Sequence, residues 1–421
     1  MNSLVKHNAI LRAQFTTPDA FLIKSLLDLD TIDLILRELL TIEEMREAGS
    51  FFTGQKLATK AVSSLQKPIT FSSVVLDPTC GAGNLLIECS RKLGVESTLS
   101  ETLQLWGRVL WGFDIHLHFV EAAKLRLVIE ALNRGVIQDC ELDEACGLLS
   151  NIMVRDAMSI ESDHLRTVTH VIMNPPFTIW PSPKNNYWKD GKVNAAGIVM
   201  DKILRNIPEE CSFCAILPDV LRSGSRYNGF RDFVSNYTDS SVEIWGRFNR
   251  KTDVDVFLLY GKVHQGSKET QWHKSEYVST CVSDFFDVRT GPLVSYREPK
   301  EGNKYPYIYP KNSPQWETLT KATEFRQFKG LVIEPPFIVI KRTSSPADKY
   351  RASATIINFK EPVAVENHMI VVKPKDGRIS TCRALLNKLE SQQVNDFLNE
   401  RIRVRHLTIG VVKEIPFCKD K

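Results

Sequence analysis

No stretch of about 18 consecutive apolar residues occurs in this 421-residue chain, so no segment has the length of a membrane-crossing helix. The opening Met1-Asn2-Ser3-Leu4-Val5-Lys6-His7 lacks the basic-then-apolar plan of a secretory signal, and the expectation is a chain that stays in the cytoplasm, with no membrane partner. Charge of one sign is scarce too. Fifty-four Lys and Arg against 50 Asp and Glu leave a formal net charge of +4, which permits a nucleic-acid partner but does not argue for one alone. The nine cysteines are odd in number and scattered through apolar segments, which speaks against a disulfide framework. Cys211-Ser212-Phe213-Cys214 has zinc-ligand spacing, yet no second pair follows and the run continues as Ala215-Ile216-Leu217. A buried strand is the better reading, and no metal is expected. Internal repeats and low-complexity tracts are absent.

What remains is the composition of an ordinary folded protein, 43% hydrophobic and 25% charged, long enough for two domains and a short appendage. From Pro18 to Ala48 the leucines and isoleucines recur at helical spacing and Gly49 supplies a stop, predicting a helical appendage over 1–49. Over 50–265 short apolar runs alternate with amphipathic stretches, which predicts a doubly wound, mostly parallel, Rossmann-like α/β sheet. Its strands are expected at 74–76, 110–113, 152–154, 170–173, 213–217 and 256–259, with helices at 85–93, 119–132 and 226–235 between them. The texture then changes: 266–329, with Tyr305-Pro306-Tyr307-Ile308-Tyr309-Pro310, reads as a linker and irregular connection. The segment 330–421 reads as a second, α+β domain with strands near 337–340, 354–357 and 369–372 and a helix over 381–400.

Leu76-Asp77-Pro78-Thr79-Cys80-Gly81-Ala82-Gly83-Asn84 lies where a strand yields to a helix, the edge at which such sheets bind ligands. Gly81 and Gly83 let backbone turn sharply against a ligand, and Asp77 can meet a cation such as an amino-acid ammonium. Gly112-Phe113-Asp114-Ile115 ends the next strand and offers a carboxylate to two ribose hydroxyls. Asp156-Ala157 follows the third strand, where the acid can accept from an adenine amine. Each acid alone is more often a cap or turn residue. In series they suit a nucleoside cofactor.

After the fourth strand comes Asn174-Pro175-Pro176-Phe177. Two prolines stiffen the backbone, so the Asn174 side-chain oxygen and the Pro175 carbonyl can converge on one donor, while Phe177 can stack on a planar ring. An exocyclic adenine amine is a weak nucleophile because its lone pair is delocalised. Two fixed acceptors holding its hydrogens aim that lone pair at an electrophilic methyl, which is catalysis by orientation and electrostatics. Glu334-Pro335-Pro336-Phe337 is a similar string without the asparagine and reads as structural.

The ordered set resembles the N6-adenine DNA methyltransferases of the γ-type motif order found in restriction-modification systems, over roughly Phe51 to Tyr260. The resemblance implies S-adenosylmethionine as cofactor. Phe52 and Thr53, from Phe51-Phe52-Thr53-Gly54, together with Asp77, Pro78, Gly81 and Gly83, would take its methionine end. Gly54 stands where the family usually has proline. Asp114 and Ile115 would take the ribose, Asp156 and Ala157 the adenine, and Asn174 to Phe177 would be catalytic, with Asn174 also beside the cofactor. Asparagine at the first position is similar to adenine-specific members, and Phe248, in Arg247-Phe248-Asn249-Arg250, looks like the aromatic that closes over the target base. A base must leave the duplex to reach such a loop, and Phe177 with Phe248 would clamp it. The resemblance further implies double-stranded DNA as partner, a target-recognition role for 330–421, and a possible separate nuclease or defence-complex subunit. Lys341, Arg342, Lys349, Arg351, Arg401, Arg403, Arg405 and His406 are available for phosphates or base edges. Three alternatives stay open: a modification-type subunit dependent on a partner for specificity, an RNA adenine methyltransferase, and a protein glutamine methyltransferase.

Overall fold

The computed structural model describes residues 2–30, 53–249, 252, 254–264, 266, 270–273 and 280–418. The chain divides into two compact units, Met1–Trp272 and His273–Lys421. Among the described residues no helix is long and apolar enough to cross a membrane.

Among the described residues the first unit holds nine strands: β1 Val75–Asp77, β2 Leu110–Asp114, β3 Ile152–Val154, β4 His170–Met173, β5 Ile179–Pro181, β6 Lys192–Asn194, β7 Ser212–Pro218, β8 Thr238–Arg247 and β9 Asp255–Val263. Seven of them form one sheet in the order β3-β2-β1-β4-β7-β9-β8. The run from β3 to β7 is parallel, and β9 is antiparallel to both of its neighbours. Helices cover its faces, so β4 and β7 are buried along their whole length and read in sequence as continuous apolar runs. The mostly parallel α/β sheet expected from the alternation is the observed one. Cys211 immediately precedes β7 and Cys214 lies within it, both buried, and burial pushes the Cys211 thiol up to about 12. They belong to the core.

Three features of this unit bear on the expectation. Helix Asn2–Thr16 falls within the helical appendage expected over 1–49, but ahead of the Pro18 periodicity, because its buried face includes His7, Asn8 and Gln14 and so shows no apolar period. Asn8 donates to the His118 carbonyl and to Glu121, an arrangement local sequence cannot announce. The helix predicted from Pro18 appears as Ala20–Leu27, and its continuation to Ala48 lies outside the described residues. Strand β8 was missed because an edge strand half in solvent carries no apolar run.

The second unit contains β10 Phe286–Thr290, β11 Asn303–Ile308, β12 Thr318–Leu319, β13 Phe325–Phe328, β14 Phe337–Lys341, β15 Ala354–Ile357, β16 Ala364–Val365 and β17 Met369–Pro374. A five-stranded sheet runs β10-β17-β14-β15-β12 and a smaller one β13-β11-β16. Along β14, Ile338 and Ile340 pack toward helices Ile379–Leu389 and Gln392–Arg401, while Phe337 and Val339 enter a second core. This is an α+β domain buried on both sheet faces. The span 266–329, expected as an irregular connection, supplies four of its strands. Their shortness and the prolines around them hid them, Pro306 closing the β11 ladder opposite Phe325. Phe337, after the second Pro-Pro string, is fully buried, in keeping with a structural role.

Candidate active site

The carboxyl ends of β1, β2, β3 and β4 open on one cavity of about 320 Å³. Parallel strands put their carboxyl ends on one edge, so residues far apart in sequence meet there. Thr53, Asp77, Pro78 and Gly81 line one part of it, Asp114, Ile115, Asp156 and Ala157 another, and Asn174 and Pro176 a third. Phe52 lies outside the described residues. Gly83 does not reach the cavity: it turns with φ of +82°, and a Cβ there would stand 2.9 Å from that of Ala123, so it serves the close packing of loop on helix. Pro175 stands behind the lining too.

Asp77 is 1% exposed. One of its oxygens accepts the Thr79 N–H at 3.1 Å, and no lysine or arginine is paired with it among the described residues. Burial, with the Asp114 charge adding, pushes its carboxyl up to about 8. A buried carboxylate facing a cavity without its own cation is suited to a cationic ligand. Asp114 is held differently. Gly81 N–H donates to Oδ2 at 3.2 Å and His116 N–H to Oδ1 at 2.8 Å. Burial raises its carboxyl as well. Each oxygen keeps a lone pair, so both still accept from a diol. Asp156 caps the turn Ala157–Ser159 through the Met158 N–H at 2.8 Å while lining the cavity. Ile115 is 60% exposed on the rim, an apolar surface for a flat ring. These acceptors fit S-adenosylmethionine: an acid for the ammonium, an acid for the ribose, and an acid with apolar neighbours for adenine.

Asn174 donates from Nδ2 to the Thr53 hydroxyl at 3.1 Å. The loop beyond it is anchored by Asn194, whose Nδ2 donates to the Phe177 carbonyl at 3.1 Å and whose Oδ1 caps helix Ala195–Leu204. Phe177 and Phe248 are brought together, edge to face at 5.5 Å, both largely buried, and neither lines the cavity. Trp180, on the hairpin β5-β6, does line it, as do Arg155 and Val199. Sequence reading missed Asn194 and Trp180; an aromatic three positions past the Pro-Pro loop was the available signal. Gly54 is explained by geometry. Asp30 Oδ1 accepts the Gln55 N–H at 3.0 Å, capping helix Gln55–Ser63, and a Cβ on Gly54 would lie 2.3 Å from that oxygen.

In the second unit Lys341 ends β14 and Arg342 follows it. Arg342 pairs its backbone with His368 and Leu407, and Ser344 with Arg405. Burial together with Arg342, His368 and Arg405 lowers the His406 pKa, so four basic side chains separated in sequence share one neighbourhood. Arg401 lies over Phe397 at 5.4 Å and near Glu414, a structural placement. Arg403 is half-buried beside it. Arg351, grouped with the phosphate-binding candidates on sequence grounds, is fully buried and donates to the Val404 and Ile402 carbonyls. It holds the helix-to-loop passage together rather than facing solvent.

Residues 30–204 match the N-6 DNA methylase family, and residues 274–417 match the type I restriction modification DNA specificity domain. The chain is similar to the type IIL restriction-modification enzyme MmeI solved with DNA, at 10% identity over 93% of this chain and 70% of that one, with a TM-score of 0.58. It is similar to the type IIG restriction endonuclease BpuSI at 13% identity and a TM-score of 0.47, covering 92% of this chain but 60% of that chain's length. A type I restriction-modification methyltransferase subunit from Streptococcus thermophilus matches at 15% identity over 56% of this chain and 48% of its own, with a TM-score of 0.37. At 10% identity the likeness to MmeI is one of fold alone. No curated protein matches the chain.

Proposed function

We propose, from the match of residues 30–204 to the N-6 DNA methylase family and of residues 274–417 to the type I restriction modification DNA specificity domain, that the chain methylates the N6 amine of an adenine extruded from double-stranded DNA at a defined sequence. The proposed setting is a cytoplasmic restriction-modification or related defence system. The observation that carries the reading is the cavity shared by Asp77, buried without a paired cation, and Asn174 of the Asn-Pro-Pro-Phe loop.

S-adenosylmethionine, when bound, supplies a methyl group activated on a sulfonium. Asp77 meets its ammonium, Asp114 the ribose diol, Asp156 the adenine amine, with Ile115 and Ala157 against the ring. Asn174 and the Pro175 carbonyl accept the two hydrogens of the target amine and orient its lone pair. Phe177 stacks on the target base. A base entering between Phe177 and Phe248 must part their edge-to-face contact. Arg342, Arg405 and Lys341 hold the duplex from the second unit, with Arg401 and Arg403 at the margin.

The deciding experiment expresses the chain in a methylation-free host and maps N6-methyladenine across the genome. A single modified motif is expected. Unmodified DNA from cells holding folded, cofactor-binding protein overturns self-sufficient methylation and points to a partner subunit.

A further inference from the structure

A chain of buried polar contacts runs from the N-terminal helices to Asn174. Arg126, on helix Leu117–Asn133, is fully buried, and burial lowers its pKa to about 9. Its Nε donates to the Leu26 carbonyl at 3.1 Å, and Nη1 donates to the Ala82 carbonyl at 2.7 Å and to Asn84 Oδ1 at 2.6 Å. Asn84 passes the contact on, donating from Nδ2 to the Thr53 carbonyl at 2.8 Å. Thr53 is 2% exposed, and its hydroxyl accepts from Asn174 Nδ2. A buried guanidinium with no hydrogen-bonded carboxylate among the described residues is costly, and here it ties the helix Ala20–Leu27, the glycine turn and the Thr53 segment to one point.

We propose that Thr53 is a positioning residue for Asn174, fixing which way its amide points, and that Asn84 and Arg126 hold Thr53 for that purpose. The inference rests on the reading of Asn174 as an acceptor for the substrate amine. A side-chain amide has one donor end and one acceptor end. With Nδ2 on Thr53, the acceptor is the end turned away from Thr53. A flipped amide would set a donor against an amine hydrogen, and nothing in a planar amide's own torsion prevents the flip. The neighbour that takes Nδ2 decides the matter, and its own backbone must then be held, which is what the carbonyl contact from Asn84 does.

The test compares Thr53→Val, which removes the hydroxyl at nearly constant volume, with Thr53→Ser, which keeps it, in the full chain. Three quantities are read: hydrogen exchange of the Asn174 side-chain amide by NMR, assigned by its loss in Asn174→Ala; single-turnover methyl transfer to DNA; and S-adenosylmethionine affinity. In Thr53→Val the amide exchange is expected to rise about tenfold and the single-turnover transfer rate, measured at saturating cofactor, to fall about tenfold to a hundredfold. Thr53→Ser is expected to restore both. Wild-type exchange and rate in Thr53→Val overturn the proposal, as does a rate loss traced wholly to weaker cofactor binding. If the wild-type chain binds cofactor yet methylates no DNA, the functional reading fails, and unchanged amide exchange in Thr53→Val overturns the positioning role by itself.

Discussion

Gly81 and Asp114 are joined by a hydrogen bond of 3.2 Å from the glycine's backbone N–H to the carboxylate, across 33 positions of sequence. The turn after β1 and the acid ending β2 are therefore one structural unit, and neither can shift without the other. Because β1 and β2 are parallel neighbours, with Asp77 opposite Gly112, this unit also brings two carboxyls into one buried neighbourhood. Burial raises both. The site is thereby poised for a cation.

The first prediction concerns pH. Asp77 moves from an ordinary 3.8 to about 8 on folding. The folded state then binds a proton that the unfolded state has released between those values, so this contribution to stability is complete below 3.8 and is lost as pH rises through about 8. Thermal melting of the cofactor-free chain should weaken from about pH 5 to about pH 8.5, and Asp77→Asn should flatten that slope. The same variant should bind S-adenosylmethionine about tenfold to a hundredfold more weakly at alkaline pH, by calorimetry. A steep slope surviving in Asp77→Asn would assign the titration elsewhere.

Asn174→Ala should lower the methyl-transfer rate by about a hundredfold to a thousandfold while leaving cofactor affinity within a few-fold, as expected for a group aimed at the reacting amine. Initial rates with radiolabelled cofactor, alongside equilibrium binding, separate the two. A variant that transfers at the wild-type rate would sink the assignment.

Gly54→Ala should destabilise the first unit, since the new Cβ would sit 2.3 Å from Asp30 Oδ1. Asp30→Ala alone should cost about 1 kcal/mol through removal of the helix cap. In the double variant the clash has no partner, so melting should show less destabilisation than the sum of the two single changes. Strict additivity would mean that Asp30 and Gly54 do not meet.

Arg342→Gln with Arg405→Gln should weaken DNA binding about equally across sequences and reduce the slope of affinity against salt by about one for each phosphate no longer neutralised. Arg351→Met should instead lower the melting temperature with little change in that slope, because its guanidinium serves buried carbonyls. If Arg351→Met flattened the salt dependence and the surface pair did not, the two roles would be reversed.

Much of the first unit was legible from its chain. The strand β4 appears at the residues expected, since a strand buried on both faces writes its position as an unbroken apolar run, and the edge strand β3 is found where Ile152-Met153-Val154 is apolar although Met153 and Val154 are exposed. Asp77, Asp114, Asp156 and Asn174 could be placed at one edge because strand ends in a parallel sheet share an edge, whatever the packing. The buried His7 and Asn8 of the first helix, the half-exposed β8 and the short strands of 286–328 left no such trace.

Local sequence thus determined the chemistry offered at each strand end, because turn glycines, strand-end acids and the rigid Pro-Pro loop act through covalent geometry and short-range sterics. Only the tertiary structure decided which groups meet: that Phe177 rests against Phe248 rather than on the cavity wall, that Trp180 lines it, that Arg351 is buried, and that Thr53 holds Asn174. Those interactions join residues tens of positions apart, and their energies depend on burial and hydrogen-bond partners that exist only once the chain has closed on itself.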